Sequence, residues 1–463
     1  MIAERSFGEV HFGSAELGNK ARTRRLATLA TQLAQHPGGT LPHKLRSPAA
    51  LEATYRLMSR AEVTHATVLA AHRAETLRRI ADHAGPLLVI CDGTELDYTR
   101  ITSLKRLGQI GSGQRKHRGY ICQNCLAVDP QTRQVLGLVN QILHIRVDAP
   151  HGESKEQSRQ RESRESRLWP DGTRDLPGDP RLVVVCDRGG DTFEELEHEH
   201  RSHRRLVIRA RHNRRVLIGH AGPSRKQYLQ STLRRQPAAG GFTLKVAATT
   251  GRPARSASLS VSFLSVRLVA PIQARGDHGK EPLALWAVRV WEADPPRGQP
   301  RLEWMLLTNE PVNSLSDARR IIAWYECRWV VEEYHKAMKT GCQIENLQFA
   351  DESRLEPMIA LLSVVAITLL NLRDASRRAD AHTTPASTLV AQEYVDALSL
   401  WRHGEIRADW SLTDFFLALA RLGGHQNRKG DKPPGWLVLW RGWTALQLLA
   451  AGARAERRRN KLG

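Results

Sequence analysis

Two short runs constrain the fold of this chain more than any other part of it. Residues 86–92 read PLLVICD and residues 180–187 read PRLVVVCD. Each is a continuous apolar run, β-rich and bounded by turn residues, as a strand buried on both faces should be. Each ends in Cys then Asp. Side chains alternate along a strand, so Cys91 and Asp92 face opposite ways, as do Cys186 and Asp187. If the two strands pair in parallel, both carboxylates emerge at the same C-terminal edge, where open α/β sheets place ligands. An Asp that ends a buried strand is a common loop starter. Two in equivalent settings carry more weight than one.

The second constraint is the stretch from Ser314 to Gly341, SLSDARRIIAWYECRWVVEEYHKAMKTG. It predicts one long helix, opened by the capping pair Ser314 and Asp317 and closed on Gly341 as a left-handed C-cap. Its apolar residues, among them Ile321, Trp324, Val330 and Met338, fall on nearly every side, so the helix is buried. Tyr325, Arg328, Glu332 and Lys339 nevertheless share an arc of roughly 60°. A buried helix with one charged arc needs something polar opposite. Either the arc is an internal salt-bridge seam, or Glu332 faces a metal while Arg328 and Lys339 face an anion.

At 463 residues the chain is too long for one compact core, and two or three domains are expected. Lys plus Arg number 69 against 48 for Asp plus Glu, a net charge of +21. Such an excess points to a polyanion, most often nucleic acid, with an anionic membrane surface as the weaker alternative. No secretory signal opens MIAERSFGEVHFG, which carries acids and no apolar segment. The longest apolar run, Met358 to Leu372, is too short and too polar to span a bilayer and reads as a core helix. Six cysteines make no disulfide framework and fit a reducing cytoplasm. Cys122 and Cys125 form a lone CxxC without a second pair at zinc spacing, and read as two apolar strand residues. The expectation is a cytoplasmic, nucleoid-associated protein without a membrane.

Taken in order, residues 1 to about 75 read as helices. Glu16 to Gln35 carries Leu17, Leu26, Leu29, Ala30 and Leu33, with Lys20, Arg22, Arg24 and Arg25 on its first turns, and Ser47 to Met58 forms another helix. This is either a DNA-binding unit or a solvated basic face. Tyr120–Val128 and Gln134–Arg146 read as a hairpin about Asp129-Pro130. Residues 147–180 are a polar excursion. A helix follows from Thr192 to about His203, then a strand from Arg205 to Ala210. Residues 211–312 alternate as strands and read as an all-β insertion. Beyond Gly341 the chain is helical again, with a polar linker at 374–388, amphipathic segments to Ala453 and a basic tail at Arg454–Lys461. Trp436, Leu439, Trp440, Trp443, Leu446, Leu449 and Ala450 recur at helical spacing, as either core or a self-association surface.

Asp92, Asp187 and Glu332 stand out as hard oxygen ligands on separate rigid elements, suited to Mg²⁺ or Mn²⁺. Two such ions serve phosphodiester chemistry. A basic protein with this set reads as a nuclease or a phosphoryl transferase acting on DNA or RNA. The spacing Tyr325-x2-Arg328-x3-Glu332-x6-Lys339 resembles the Y-R-E-K signature of the insertion-sequence-four family of DDE transposases. Asp187-Arg188-Gly189-Gly190-Asp191 is similar to the family's second-aspartate motif, with two glycines in place of Glu-Ala. Leu422-Gly423-Gly424, the run Gly442 to Gln447, Gly13 to Leu26 and Arg252 to Ser260 resemble corresponding family segments. After Trp169 the family has a helix, where this chain carries Pro170, Gly172 and Pro177.

The resemblance implies an α/β fold with a ribonuclease H-like catalytic core at 76–373, holding the three carboxylates and the β insertion. It implies an N-terminal helical domain at 1–75 that binds transposon ends, and a C-terminal helical domain at 374–463 that makes a homodimer. It also implies cut-and-paste transposition with two Mg²⁺ or Mn²⁺ ions held by Asp92, Asp187 and Glu332. Double-stranded DNA, as transposon ends and as target, is the partner. Tyr325, Arg328, Lys339 and Arg209 would contact phosphates, and Trp304 would stack on a flipped base. Two rivals stand beside it: a nuclease of the same fold that cuts without joining, and a non-catalytic DNA-binding inhibitor of transposition. The inhibitor would not need the three carboxylates.

Overall fold

The computed structural model describes residues 6–111, 117–218, 227–246, 254–271, 278–407, 409–428, 431 and 433–462. Arg252 and Pro253, the start of one family-like segment, lie outside the described residues, as do the side chains of 457–461 in the basic tail.

The chain begins with helices α1 (Phe7–Phe12), α2 (Lys20–Gln35), α3 (Leu41–Leu45), α4 (Pro48–Met58) and α5 (His65–Asp82). Asn19 and Ser47 cap α2 and α4 by accepting hydrogen bonds from Arg22 N and Ala50 N. Residue 75 lies inside α5, which packs on both the sheet and a later core helix. Strands β1 (Leu87–Asp97), β2 (Gly108–Ile110), β3 (His117–Val128) and β4 (Val135–His144) follow, with β3 and β4 paired as the hairpin about Asp129-Pro130. The polar excursion holds α6 (Lys155–Gln160) and α7 (Leu168–Thr173). Pro170 is tolerated in α7 because the first-turn N–H groups have no helical partner anyway. Gly172 is there for closeness, since a Cβ would meet Cys125 Sγ at 2.7 Å.

Next come β5 (Leu182–Cys186), α8 (Phe193–Arg201) and β6 (Arg205–Arg209). β1 pairs with β5 in parallel, with Cys91 opposite Cys186, and β5 with β6, with Cys186 opposite Ile208. The two Cys-Asp strand ends therefore do lie side by side. Residues 211–312 depart from the all-β expectation. They form β7 (Arg215–Leu217), β8 (Gln227–Tyr228), helix α9 (Leu229–Arg235), β9 (Gly240–Val246), β10 (Arg255–Leu268), β11 (Leu283–Glu292) and β12 (Glu303–Thr308). β12 pairs antiparallel with β6, so these strands extend the same sheet, in the order β2-β3-β1-β5-β6-β12-β11-β10-β7-β8.

The central stretch is α10 (Leu315–Glu326) and α11 (Trp329–Lys336), capped by Ser314 and broken at Cys327–Arg328. Arg328 N, Val330 N and Val331 N donate to carbonyls three residues back, which tightens the path there. Residues 337–341 then widen into a π-helical turn, with Cys342 N donating to Ala337 O. Gly341 is not left-handed, and Gln343 takes that conformation instead. Gly341 is small because a Cβ there would lie 2.4 Å from Leu369 Cδ1 and 3.0 Å from the Trp436 ring.

Helices α12 (Glu352–Ser376), α13 (Gln392–His403), α14 (Leu412–Leu422) and α15 (Trp436–Leu462) complete the chain. The long apolar α12 is buried within the protein, and α15 runs on through the basic tail as helix. One apolar cluster joins the N-terminal helices, one face of the sheet, α10 to α12, Trp436 and Trp440. A second fills the other face beneath α7 and α8. Cys122 belongs to the first and Cys125 to the second, as alternating strand residues should. All six cysteines are buried and free. The helical stripe at the C-terminus is internal: Trp436, Leu439, Trp440, Leu446 and Ala450 are buried within this one chain. Its spacing serves α15's packing on α12, α13 and α14, and only Leu449 of the set is exposed.

Candidate active site

Asp92 and Asp187 stand where β1 and β5 leave the buried core. Both belong to the residue series that faces the first apolar cluster, where Leu88, Ile90, Val183 and Val185 lie and where α11 packs. Their neighbours Cys91 and Cys186 face the other side. Asp187 Oδ1 accepts from Gly189 N at 2.7 Å, which fixes the turn that follows. Glu332 comes from α11 and is half-exposed.

A cation already stands between two of these carboxylates. Arg328 Nη1 donates to Asp92 Oδ2 at 2.7 Å and to Glu332 Oε1 at 3.2 Å. Even so, Asp92 is pushed up to about 7, first by burial and then by the charge of Asp187, with Arg328 opposing and Glu332 adding to the rise. An acid so burdened by negative neighbours suits a site made for a further cation. Among the described residues no three acidic, His or Cys side chains are drawn close enough to form a metal site. The oxygen donors nonetheless fit a hard divalent ion in kind.

The remaining sequence candidates occupy three places. Arg328 lies inside the carboxylate cluster. Arg209, opposite Leu306 where β6 meets β12, is half-buried, and its Nη2 donates to Glu303 O at 3.2 Å. Trp304 is half-buried beside the buried Tyr325, with ring centroids 6.5 Å apart. Because Cys186 is opposite Ile208, Asp187 and Arg209 flank the same sheet edge. Lys339 sits apart, on the π turn, with Nζ 3.6 Å from Glu345 Oε1. The single arc expected for Tyr325, Arg328, Glu332 and Lys339 is thus spread along a path that first tightens and then widens.

The structure also places residues that the sequence reading passed over. A cleft of about 420 Å³ opens beside Asp92 and Asp187, lined among others by Trp169, Arg146 and Arg211. A Cβ on Gly189 would lie 2.5 Å from Trp169 Cζ2, so the glycine lets the indole close over the turn after Asp187. The Gly-Gly pair was the available signal, because glycine marks close approach. Buried Asp191 accepts from Arg211 N at 2.6 Å and His212 N at 2.8 Å, holding the loop that carries Arg211 to the cleft.

Residues 4–63 match the family model described as transposase DNA-binding, and residues 83–369 match that of the transposase DDE domain. The second match alone spans well over half the chain and contains Asp92, Asp187 and Glu332. This protein belongs to the DDE transposases.

Proposed function

We propose that this transposase works by cut-and-paste and falls in the insertion-sequence-four family. The observation that carries the reading is the Asp92–Arg328–Glu332 bridge beside Asp187, together with the burial of Asp92 among negative neighbours. Asp92, Asp187 and Glu332 would hold Mg²⁺ or Mn²⁺, as two ions. When bound, the metal supplies Lewis acidity to the attacking and leaving oxygens. Arg328, Lys339, Arg209 and Tyr325 bind phosphates near the scissile end. Trp304 offers its face to a base displaced from the duplex.

In this reading water first nicks one strand at the transposon end. The freed 3′-hydroxyl attacks the opposite strand and closes a hairpin. A second water opens it, and the 3′-hydroxyl then joins target DNA. The enzyme acts as a homodimer on paired ends. Its DNA contacts begin in α1 to α4, where Lys20, Arg22, Arg24 and Arg25 lie on α2.

The test is incubation of the purified protein and Mn²⁺ with labelled DNA taken from either side of the encoding gene. Denaturing gels should show a nick, a hairpin and then a joined product in that order. Cutting without joining supports a nuclease instead. Binding without cutting supports a non-catalytic inhibitor.

A further inference from the structure

Asn124 stands directly opposite Asp92 in the β1–β3 ladder and is fully buried. Its side-chain amide is fully engaged. Nδ2 donates to Cys122 O and meets His335 Nε2, each at 3.2 Å, and Oδ1 accepts from Gln141 Nε2 at 2.7 Å. Gln141 in turn donates to Ser363 Oγ at 2.9 Å, and its Oε1 meets His65 Nε2 at 3.0 Å. These partners determine one another. Because Asn124 Oδ1 is taken by Gln141, its Nδ2 faces the imidazole, and His335 must present a lone pair at Nε2. Burial, then the charges of Lys339 and Arg328, hold His335 down to about 3, so the ring stays neutral as that acceptor role requires.

His335 lies one turn beyond Glu332 on α11. That helix has only eight residues and is bounded by the tightened turn at Cys327–Arg328 and the π turn at 337–341. The helical repeat changes at both of its ends, so contacts with neighbouring elements bear on its rotation. Beside apolar packing, the Arg373–Glu333 ion pair and the Arg328 bonds at its start, it is held from below by Asn124 at His335 and by Tyr334 Oη donating to Ser363 O at 3.0 Å. A fully satisfied buried network contributes specificity of arrangement, where apolar packing of equal volume would contribute stability alone.

We propose that Asn124 and His335 are positioning residues which set Glu332 against Asp92 for divalent-ion binding. Asn124 does this from the strand paired with Asp92, and His335 from the helix that carries Glu332. The proposal rests on the metal-dependent reading of the site.

The experiment compares Asn124→Ala, His335→Leu and His335→Gln with the parent protein, titrating Mn²⁺ while following both thermal midpoint and nicking of an end duplex. The Gln variant keeps an oxygen acceptor for Asn124. Asn124→Ala and His335→Leu should need at least tenfold more Mn²⁺ for half of the midpoint rise. Their kcat should fall with KM for DNA within twofold. His335→Gln should stay within threefold of the parent on both counts. A parent-like Mn²⁺ requirement in the first two, or a Gln variant as impaired as the Leu variant, overturns the proposal. If Asn124→Ala does not fold, the pair at His335 decides alone. A parent protein that neither responds to Mn²⁺ nor nicks DNA overturns the metal reading itself, which separates the two failures.

Discussion

Arg328 Nη1 reaches Asp92 Oδ2 at 2.7 Å, and so holds together the break in the central helix and the exit of β1. Both side chains are largely buried. Arg328→Ala should therefore leave Asp92 beside Asp187 without a counter-charge. At pH 8, without metal, that should cost about 3 kcal/mol of stability. At pH 6, where Asp92 is mostly protonated, the cost should shrink. Urea unfolding at the two pH values checks this, and equal losses would count against it.

Asp92→Asn, Asp187→Asn and Glu332→Gln should each abolish cleavage while end binding stays within a few-fold. An amide keeps the shape of the side chain and removes the charge that holds a cation. Asp92 carries an added signature. Its folded value lies near 7, far above the ordinary carboxylate range, so its ionised form costs stability above that pH. Asp92→Asn should thus raise the metal-free thermal midpoint at pH 8 by about 1–3 °C. It should also lose the rise that Mg²⁺ gives the parent protein. Full nicking by any of the three variants would sink the assignment.

Acid should loosen the fold through histidines held neutral. Burial lowers His11 to about 4 and His335 to about 3, and takes His72 well below its ordinary value. The unfolded chain protonates these rings near pH 6.5 and the folded chain does not. Stability is therefore lost as pH falls from about 6.5 toward 4. Asp92 works in the opposite sense between its unfolded value and 7, as do Glu195 and Asp374, which burial also raises, but His65 and other histidines lowered by burial add to the three and outnumber them. The thermal midpoint should hold from pH 8 to 7 and drop below 6.5, and His72→Gln should flatten the drop. A midpoint unchanged down to pH 5 would contradict this account.

Trp304→Ala should slow hairpin closure more than the first nick. Loss of an aromatic platform costs about 1–3 kcal/mol of stacking with a displaced base. Trp304 is half-buried against Tyr325, so part of its ring is also packing. Equal slowing of both steps, or insoluble protein, would assign it to packing alone.

Truncation before Gly435 should give misfolded protein rather than a folded single-end binder, because Trp436 and Trp440 close the main apolar cluster. Pairing of ends is better probed by Leu448→Glu combined with Leu449→Glu, since both residues are exposed on α15. That variant should fold and bind one end, and should fail to give a mixed two-end species in gel shifts with ends of two lengths. A normal mixed species would place the dimer contact elsewhere.

Much of this was legible in the chain itself. PLLVICD and PRLVVVCD announce buried strands, because a short β-rich apolar run between turn residues suits a strand covered on both faces, while their parallel pairing is shown only by the structure. Ser314 and Asp317 announce a helix start for equally local reasons. What escaped depends on neighbours distant in sequence. Nothing between Ser314 and Gly341 marks the break at Cys327–Arg328, where Arg328 turns to Asp92. Gly341 is a glycine because of Leu369 and Trp436, not because of its own backbone. The Trp436 to Ala450 spacing is the same whether a helix packs inward or against another molecule. Asn124 and His335 are lone polar residues with no periodic signal, visible only once β1 and α11 meet.

The shared apolar cluster also has a consequence in time. Ile321 of α10 and Met338 of the π turn, which flank α11, sit in the same cluster that Trp436 and Trp440 close. A chain still emerging from the ribosome has all three acidic residues long before it has those tryptophans. The elements that carry Asp92, Asp187 and Glu332 therefore gain their full apolar support only when synthesis has passed residue 440.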